Sequence, residues 1–225
     1  MNISEIRENV VLAQFDNRYM LASTMMRVAE FYESPLAGIT GQYFTLEQFM
    51  DKYAASTPPF SYRCDDYLYR GKQNFTYTIE WEGFNIPGDT VRKFLQIFEP
   101  HGLLEKEKHL FSILQKWIRS QQQFYLIAAE DEAVNHEVAH AYYYLHPEYK
   151  QEMDALIRKF SRKDKMCKCI LSSGYNEAVL NDEIQAYLGT GTPKDINEDV
   201  GFKATRSEIA PFRKAFQQAE KRWKW

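Results

Sequence analysis

Apolar positions recur along the chain at spacings that change from segment to segment, and each spacing predicts an element. Over Ile3–Glu33, the residues Val10, Leu12, Phe15, Met20, Leu21, Met25, Val28 and Phe31 recur at a helical interval. They predict a mostly helical segment closed by Pro35 and Gly38. A short helix is expected at Thr45–Ala55, because Thr45 is a good cap and Leu46, Phe49, Met50 and Tyr53 share one face. Thr57-Pro58-Pro59 marks a loop. From Asn74 to Ile86 the period shortens: Phe75, Tyr77 and Ile79 alternate with Thr76, Thr78 and Glu80, as in a strand or hairpin arm. Pro87-Gly88-Asp89 ends that strand and opens a helix at Thr90–Phe98. Leu103–Gln122 continues helical, with Leu110, Ile113, Leu114 and Trp117 on one stripe.

Phe124–Ala129 is a compact apolar run that suits a buried strand. Glu130, Asp131 and Glu132 suit the first turn of a helix running to about Leu145 and stopping before Pro147. Glu148–Lys163 is amphipathic, with Met153, Leu156, Ile157 and Phe160 inward. Asn176–Leu188 reads as a further helix, ended by Gly189–Thr192, and Ser207–Lys224 as a basic one. The pattern predicts an α+β fold, mainly helical with a small antiparallel or mixed sheet. An N-terminal helical part (1–73) and a second part (74–225) are expected within one compact domain.

Composition narrows the classes of function. Of 225 residues, 44% are hydrophobic and 15% aromatic, enough for a core. A net charge of −3 directs the chain to neither nucleic acid nor an anionic membrane, and oligomeric state is left open. Short basic stretches, Arg158–Lys168 and Lys203–Lys224, are mixed with acids and read as solvated faces. Glu5, Arg7 and Glu8 interrupt the N-terminus, and Val10–Ala13 is too short for a signal core. No window approaches the roughly 18 apolar residues of a membrane span. Cys64, Cys167 and Cys169 do not look like a disulfide framework, and Cys167-Lys168-Cys169 reads as free thiols in preference to a second metal site. A cytoplasmic setting is expected, with export by a route needing no cleaved signal left open. Trp223 and Trp225 either pack back onto the domain or mark a partner contact.

The candidate chemistry lies in Asn135-His136-Glu137-Val138-Ala139-His140, an HExxH motif inside a segment free of Pro and Gly. Residues four apart share a helix face, so His136 and His140 can present ring nitrogens to one ion. Glu137, about 100° round the axis, can reach a metal-activated water as general base without being a ligand. A catalytic zinc also needs a third protein ligand. Glu183 shares a face with Val179, Leu180, Ala186 and Tyr187, an apolar stripe where a carboxylate needs a partner. It is favoured over Glu177, whose face is mixed. Asp182 is either an acceptor for a ligand histidine or a solvated helix charge. For the oxyanion donor, Tyr187 stands one turn beyond Glu183, and Tyr143 and Tyr144 lie just beyond His140. Phe124–Ala129 is either a strand along which an extended peptide lies or an ordinary core strand.

HEVAH followed by a glutamate on a later helix resembles the gluzincin-like zinc metallopeptidases. That resemblance covers Phe124–Leu188 and implies Zn2+ held by His136, His140 and a glutamate, with Glu137 as base and acid. It also implies an active-site helix crossed by a ligand helix and a peptide or protein substrate. The wider pattern includes Phe31-Tyr32-Glu33-Ser34-Pro35, Trp81-Glu82-Gly83-Phe84-Asn85-Ile86-Pro87, His146-Pro147-Glu148-Tyr149 and Asp182-Glu183-Ile184-Gln185-Ala186-Tyr187. It is similar to small bacterial zincin-like proteins and implies no particular substrate. The chain departs from the thermolysin-like pattern, with Asn181 where an Asp is expected four residues after Glu177. His146 has the offset of a third metzincin ligand, but Tyr143 replaces the glycine of that motif. Two other readings stand beside the peptidase. One is an interaction protein that keeps a zincin-like metal site without hydrolysis; the other is a non-peptidase hydrolase with the same zinc chemistry.

Overall fold

The computed structural model of the chain describes residues 1–56, 75–120, 122–130, 134–173, 175 and 177–223. Two compact units make it up: Met1–Ser4 with Leu12–Asp131, and Glu5–Val11 with Glu132–Trp225. Among the described residues the fold is α+β, mainly helical with one four-stranded sheet.

The N-terminus departs from the helical expectation. Strands β1 (Asn2–Arg7) and β2 (Val10–Gln14) flank the two-residue turn Glu8-Asn9, with Asn9 at φ 59°. Asparagine tolerates this left-handed conformation, which tight hairpin turns require. Val10 to Ala13 are buried without interruption, as a run covered on both faces is. Their apparent helical spacing came from joining this strand to the true helix, α1 (Arg18–Tyr32). Asn17 caps α1 by accepting from the Met20 N–H at 2.9 Å.

Helix α2 (Leu46–Ser56) starts where expected. The Gln48 N–H donates to Thr45 Oγ1 at 3.1 Å and the Thr45 N–H to Gln48 Oε1 at 2.8 Å, a reciprocal cap. The Thr57-Pro58-Pro59 loop, Cys64 and Asn74 lie outside the described residues. The alternating segment after Asn74 is not one strand but a helical turn, α3 (Tyr77–Glu80), followed by β3 (Gly83–Pro87). Thr76 and Thr78 are as buried as Phe75 and Tyr77, so the alternation does not separate a wet face from a dry one. Tyr77 instead meets Phe49 edge-to-face at 5.2 Å.

Helices α4 (Gly88–Phe98), α5 (Glu105–Ile113) and α6 (Gln115–Arg119) follow. The helix expected over 103–122 breaks at Leu114. Arg92 of α4 donates to the carbonyls of Trp117, Ile118, Ser120 and Gln122, which closes the end of α6. Ile113 faces solvent, off the stripe that buries Leu110 and Leu114. Strand β4 (Tyr125–Ala129) is buried at all five positions, and the sheet order is β1-β2-β4-β3. β3 and β4 are antiparallel, with Gly83 opposite Ala129 and Pro87 opposite Tyr125. β4 is therefore an inner strand with neighbours on both sides. It cannot take an extended peptide by strand addition, and of its two sequence readings the core strand holds. Phe31, Phe94 and Phe98 pack in the core of this unit, beside the buried ion pair Arg27–Glu107.

The second unit holds α7 (Val134–Leu145), α8 (Pro147–Lys159), α9 (Lys163–Ser172), α10 (Leu180–Thr190), α11 (Pro193–Val200) and α12 (Arg206–Trp223). Asp131 and Glu132 lie outside the described residues, and Glu130 precedes α7. Pro147 stops α7 and starts α8, as its fixed φ and missing N–H require. Met153, Ile157, Ile170, Ile184, Leu188 and Phe212 form the core. α9 and α11 were not expected; α9 falls across the basic run, and Thr192 with Asp195 caps α11 reciprocally. α10 starts later than the predicted Asn176, because Glu177–Val179 forms a 3-10 turn. Arg7 joins this unit through Glu220 at 2.8 Å. Trp223 folds back and stacks on His146, rings 3.7 Å apart and 3° from parallel, while Trp225 lies outside the described residues. Among the described residues no helix is long and apolar enough to cross a membrane.

Candidate metal centre

α7 carries His136 and His140 one turn apart. Ala139 and Ala141 on the same helix are fully buried, and their small side chains let α10 pack close against it. α10 brings Glu183 to the two rings. The Nε2 atoms of His136 and His140 are 3.1 Å apart. Glu183 Oε2 lies 3.6 Å from His136 Nε2, and Glu183 Oε1 lies 3.6 Å from His140 Nε2. One donor atom from each of the three residues falls within 4.8 Å of the others.

These separations fit a metal ion. Nitrogen and oxygen ligands about 2.0–2.1 Å from a tetrahedral zinc are about 3.3 Å from one another. Glu183 supplies a second, independent sign: its Oε2 is buried and has no hydrogen-bond partner among the described residues. A buried carboxylate left in that state is costly, and a cation among the three donors satisfies it. The donor set of two imidazoles and one carboxylate is that of open catalytic zinc sites, with the fourth position free for water or substrate.

The electrostatics point the same way. Burial pulls the His140 pKa down, yet the carboxylates of Asp182, Glu183 and Glu137 outweigh it and push it up to about 10. The surroundings of this ring thus hold a positive charge in a place that solvent does not reach. Glu137 is itself buried and acts electrostatically on His140, Tyr175 and Tyr187.

Asp182 orients the site from behind His140. His140 Nδ1 lies 2.8 Å from Asp182 Oδ1, so the ring's Nδ1–H is engaged and Nε2 faces the cluster. Gln185 donates to the same Asp182 oxygen at 2.9 Å, and Tyr149 donates to Gln185 Oε1 at 3.0 Å. Gln185 and Tyr149 are buried and were not singled out from the sequence. Gln185, one turn after Asp182, could have been found as its helix neighbour; nothing around Tyr149, on α8, pointed to Gln185.

Among the candidate electrophiles, Tyr187 is the one beside the cluster. Its ring meets that of His136 edge-on, 4.7 Å between centroids. Its hydroxyl lies 3.0 Å from that of Tyr175, a residue the sequence did not indicate. Burial raises both phenols above their usual range, with Glu183 and Glu137 adding to the effect. Tyr143 donates to Asp154 and is buried, and Tyr144 is exposed. Glu177 is exposed on the 3-10 turn and is not among the clustered donors, whereas Glu183 is. His146 is held under Trp223 and is not among the three clustered ligands. Cys167 and Cys169 are free thiols. No protein-family model, no curated protein and no solved structure matches this chain.

Proposed function

We propose that the chain is a zinc-dependent hydrolase, and that its reaction is the cleavage of peptide bonds. The observation that carries this reading is the His136, His140 and Glu183 cluster, with Glu183 Oε2 buried and without a hydrogen bond among the described residues, and Glu137 buried on the helix of the two histidines. A purely structural site has no use for the Glu137 carboxylate. When bound, zinc supplies a Lewis acid that polarises a carbonyl and acidifies water.

The rest falls to the chain's own residues. His136, His140 and Glu183 hold the ion, and Asp182 fixes the His140 tautomer. Glu137 takes the proton of the attacking water and returns it to the leaving nitrogen, so the carboxylate is regenerated. Tyr187 donates a hydrogen bond to the oxygen on which negative charge develops. Peptides and proteins are the substrates in this reading, and nucleic acid and membranes are not partners. The free Cys167 and Cys169 support a cytoplasmic setting.

The test is a peptide-library cleavage profile of zinc-loaded protein beside its Glu137→Gln variant. Glutamine keeps the shape but cannot take the proton. The variant is expected to keep its zinc and lose at least about 10²-fold in turnover. Full zinc occupancy with undiminished cleavage in the variant would refute the mechanism.

A further inference from the structure

Two phenols in contact hold two protons but share only one hydrogen bond, so one proton of the pair is left for a third group. Tyr175 and Tyr187 are such a pair, hydroxyls 3.0 Å apart and rings at 87° to one another. Tyr187 is the member whose ring packs edge-on against that of His136. Tyr175 reaches it from outside α10, five residues before the helix starts, so it approaches the phenol from a separate segment.

From this geometry we infer that Tyr175 is a positioning residue: it donates to the Tyr187 hydroxyl, and so holds the Tyr187 proton toward the substrate oxygen that gains charge. The inference rests on the proposed hydrolase reading and adds a residue to it. Without Tyr175, the Tyr187 hydroxyl loses this hydrogen bond and the polarisation that a donor behind it supplies. No bond is made or broken at Tyr175.

A double-mutant cycle tests this on zinc-loaded protein: wild type, Tyr175→Phe, Tyr187→Phe and the double variant. The probe is an alanine-based phosphinic pseudopeptide, whose tetrahedral phosphorus carries an oxygen like the one that develops charge. Its binding is read by calorimetry, independently of turnover, and zinc content is measured for each variant. Tyr187→Phe is expected to weaken binding by roughly 10- to 100-fold, the effect of one hydrogen bond to a charged oxygen. Tyr175→Phe is expected to weaken it by roughly 3- to 10-fold in the wild-type background, and to have no effect once Tyr187 is Phe. Zinc stays at one equivalent throughout. Equal losses from Tyr175→Phe in both backgrounds would make the residue merely structural and overturn the inference, as would wild-type binding by Tyr175→Phe. In those outcomes wild type still binds the probe, so the hydrolase reading stands. Wild-type protein that holds zinc but does not bind the probe would overturn both.

Discussion

Replacing Asp182 by asparagine tests whether the metal centre is organised from behind its ligands. In the wild-type protein Asp182 Oδ1 accepts from His140 Nδ1 at 2.8 Å and from Gln185 Nε2 at 2.9 Å. Gln185 is held in turn by Tyr149, and both are buried. The carboxylate therefore has one available orientation, and it imposes the His140 tautomer whose Nε2 faces the other ligands. Asparagine keeps the shape but removes the charge, and its amide group can present N–H to Nδ1 and favour the wrong tautomer. Loss of such a supporting hydrogen bond typically costs about 10- to 100-fold in metal affinity. The Asp182 side chain is 27% exposed, which screens part of its charge. The expected loss is thus about 10- to 30-fold, or about 1–2 kcal/mol. Competition against a chromophoric chelator measures the zinc Kd directly. Glu177→Gln, an exposed carboxylate on the preceding turn, is the control and is expected to leave the Kd unchanged. A folded Asp182→Asn variant with wild-type zinc affinity would refute the reasoning, as would an equal loss in the control.

Other expectations follow from the same geometry. Glu183→Ala is expected to weaken zinc binding by at least about 100-fold more than Glu177→Ala in the same titration; the reverse order would exchange their roles. In metal-free protein, the folded pKa of His140 lies at about 10, above its ordinary 6.5. The stability it contributes is therefore fully present below pH 6.5 and is lost as pH rises through 10, by an amount on the order of several kcal/mol. Urea unfolding of chelator-treated protein between pH 6.5 and 10 tests this, and a flat profile would contradict it; zinc-loaded protein, which binds the neutral ring, lacks that decline. A Cβ added at Gly88 would stand 2.5 Å from the Phe124 ring and 2.7 Å from its carbonyl oxygen. Gly88→Ala is accordingly expected to destabilise the protein by about 1–3 kcal/mol, seen as a lower Tm, and an unchanged Tm would show that Phe124 and α4 give way freely.

What could be read from the sequence was what is local. HExxH needs only one helix, so its geometry follows from a period of four, and His136 and His140 converge accordingly. Glu183 was legible because a carboxylate on an apolar stripe demands a partner. Asp182 left two readings open, and only the distance to His140 Nδ1 decides between them. Neither Tyr175 nor Tyr149 showed a role in its local pattern, since they reach the site from other segments. The N-terminal hairpin was misread because β1 and β2 were joined to α1 under one spacing, and the informative residue, Asn9, is a single turn position. The segment from Phe75 failed for a different reason. Its threonines are buried with its aromatics, so polarity did not report exposure there. The inner position of β4 depends on pairing between strands far apart in sequence, which no window along the chain contains.

The most direct test of the central claim is the metal content of purified protein after exhaustive dialysis, determined by mass spectrometry for wild type, His136→Ala and His140→Ala. One equivalent of zinc per wild-type chain, absent from both variants and accompanied by a lower Tm in each, is the predicted result. One equivalent of tightly bound zinc retained in both variants would contradict it and put the metal site elsewhere.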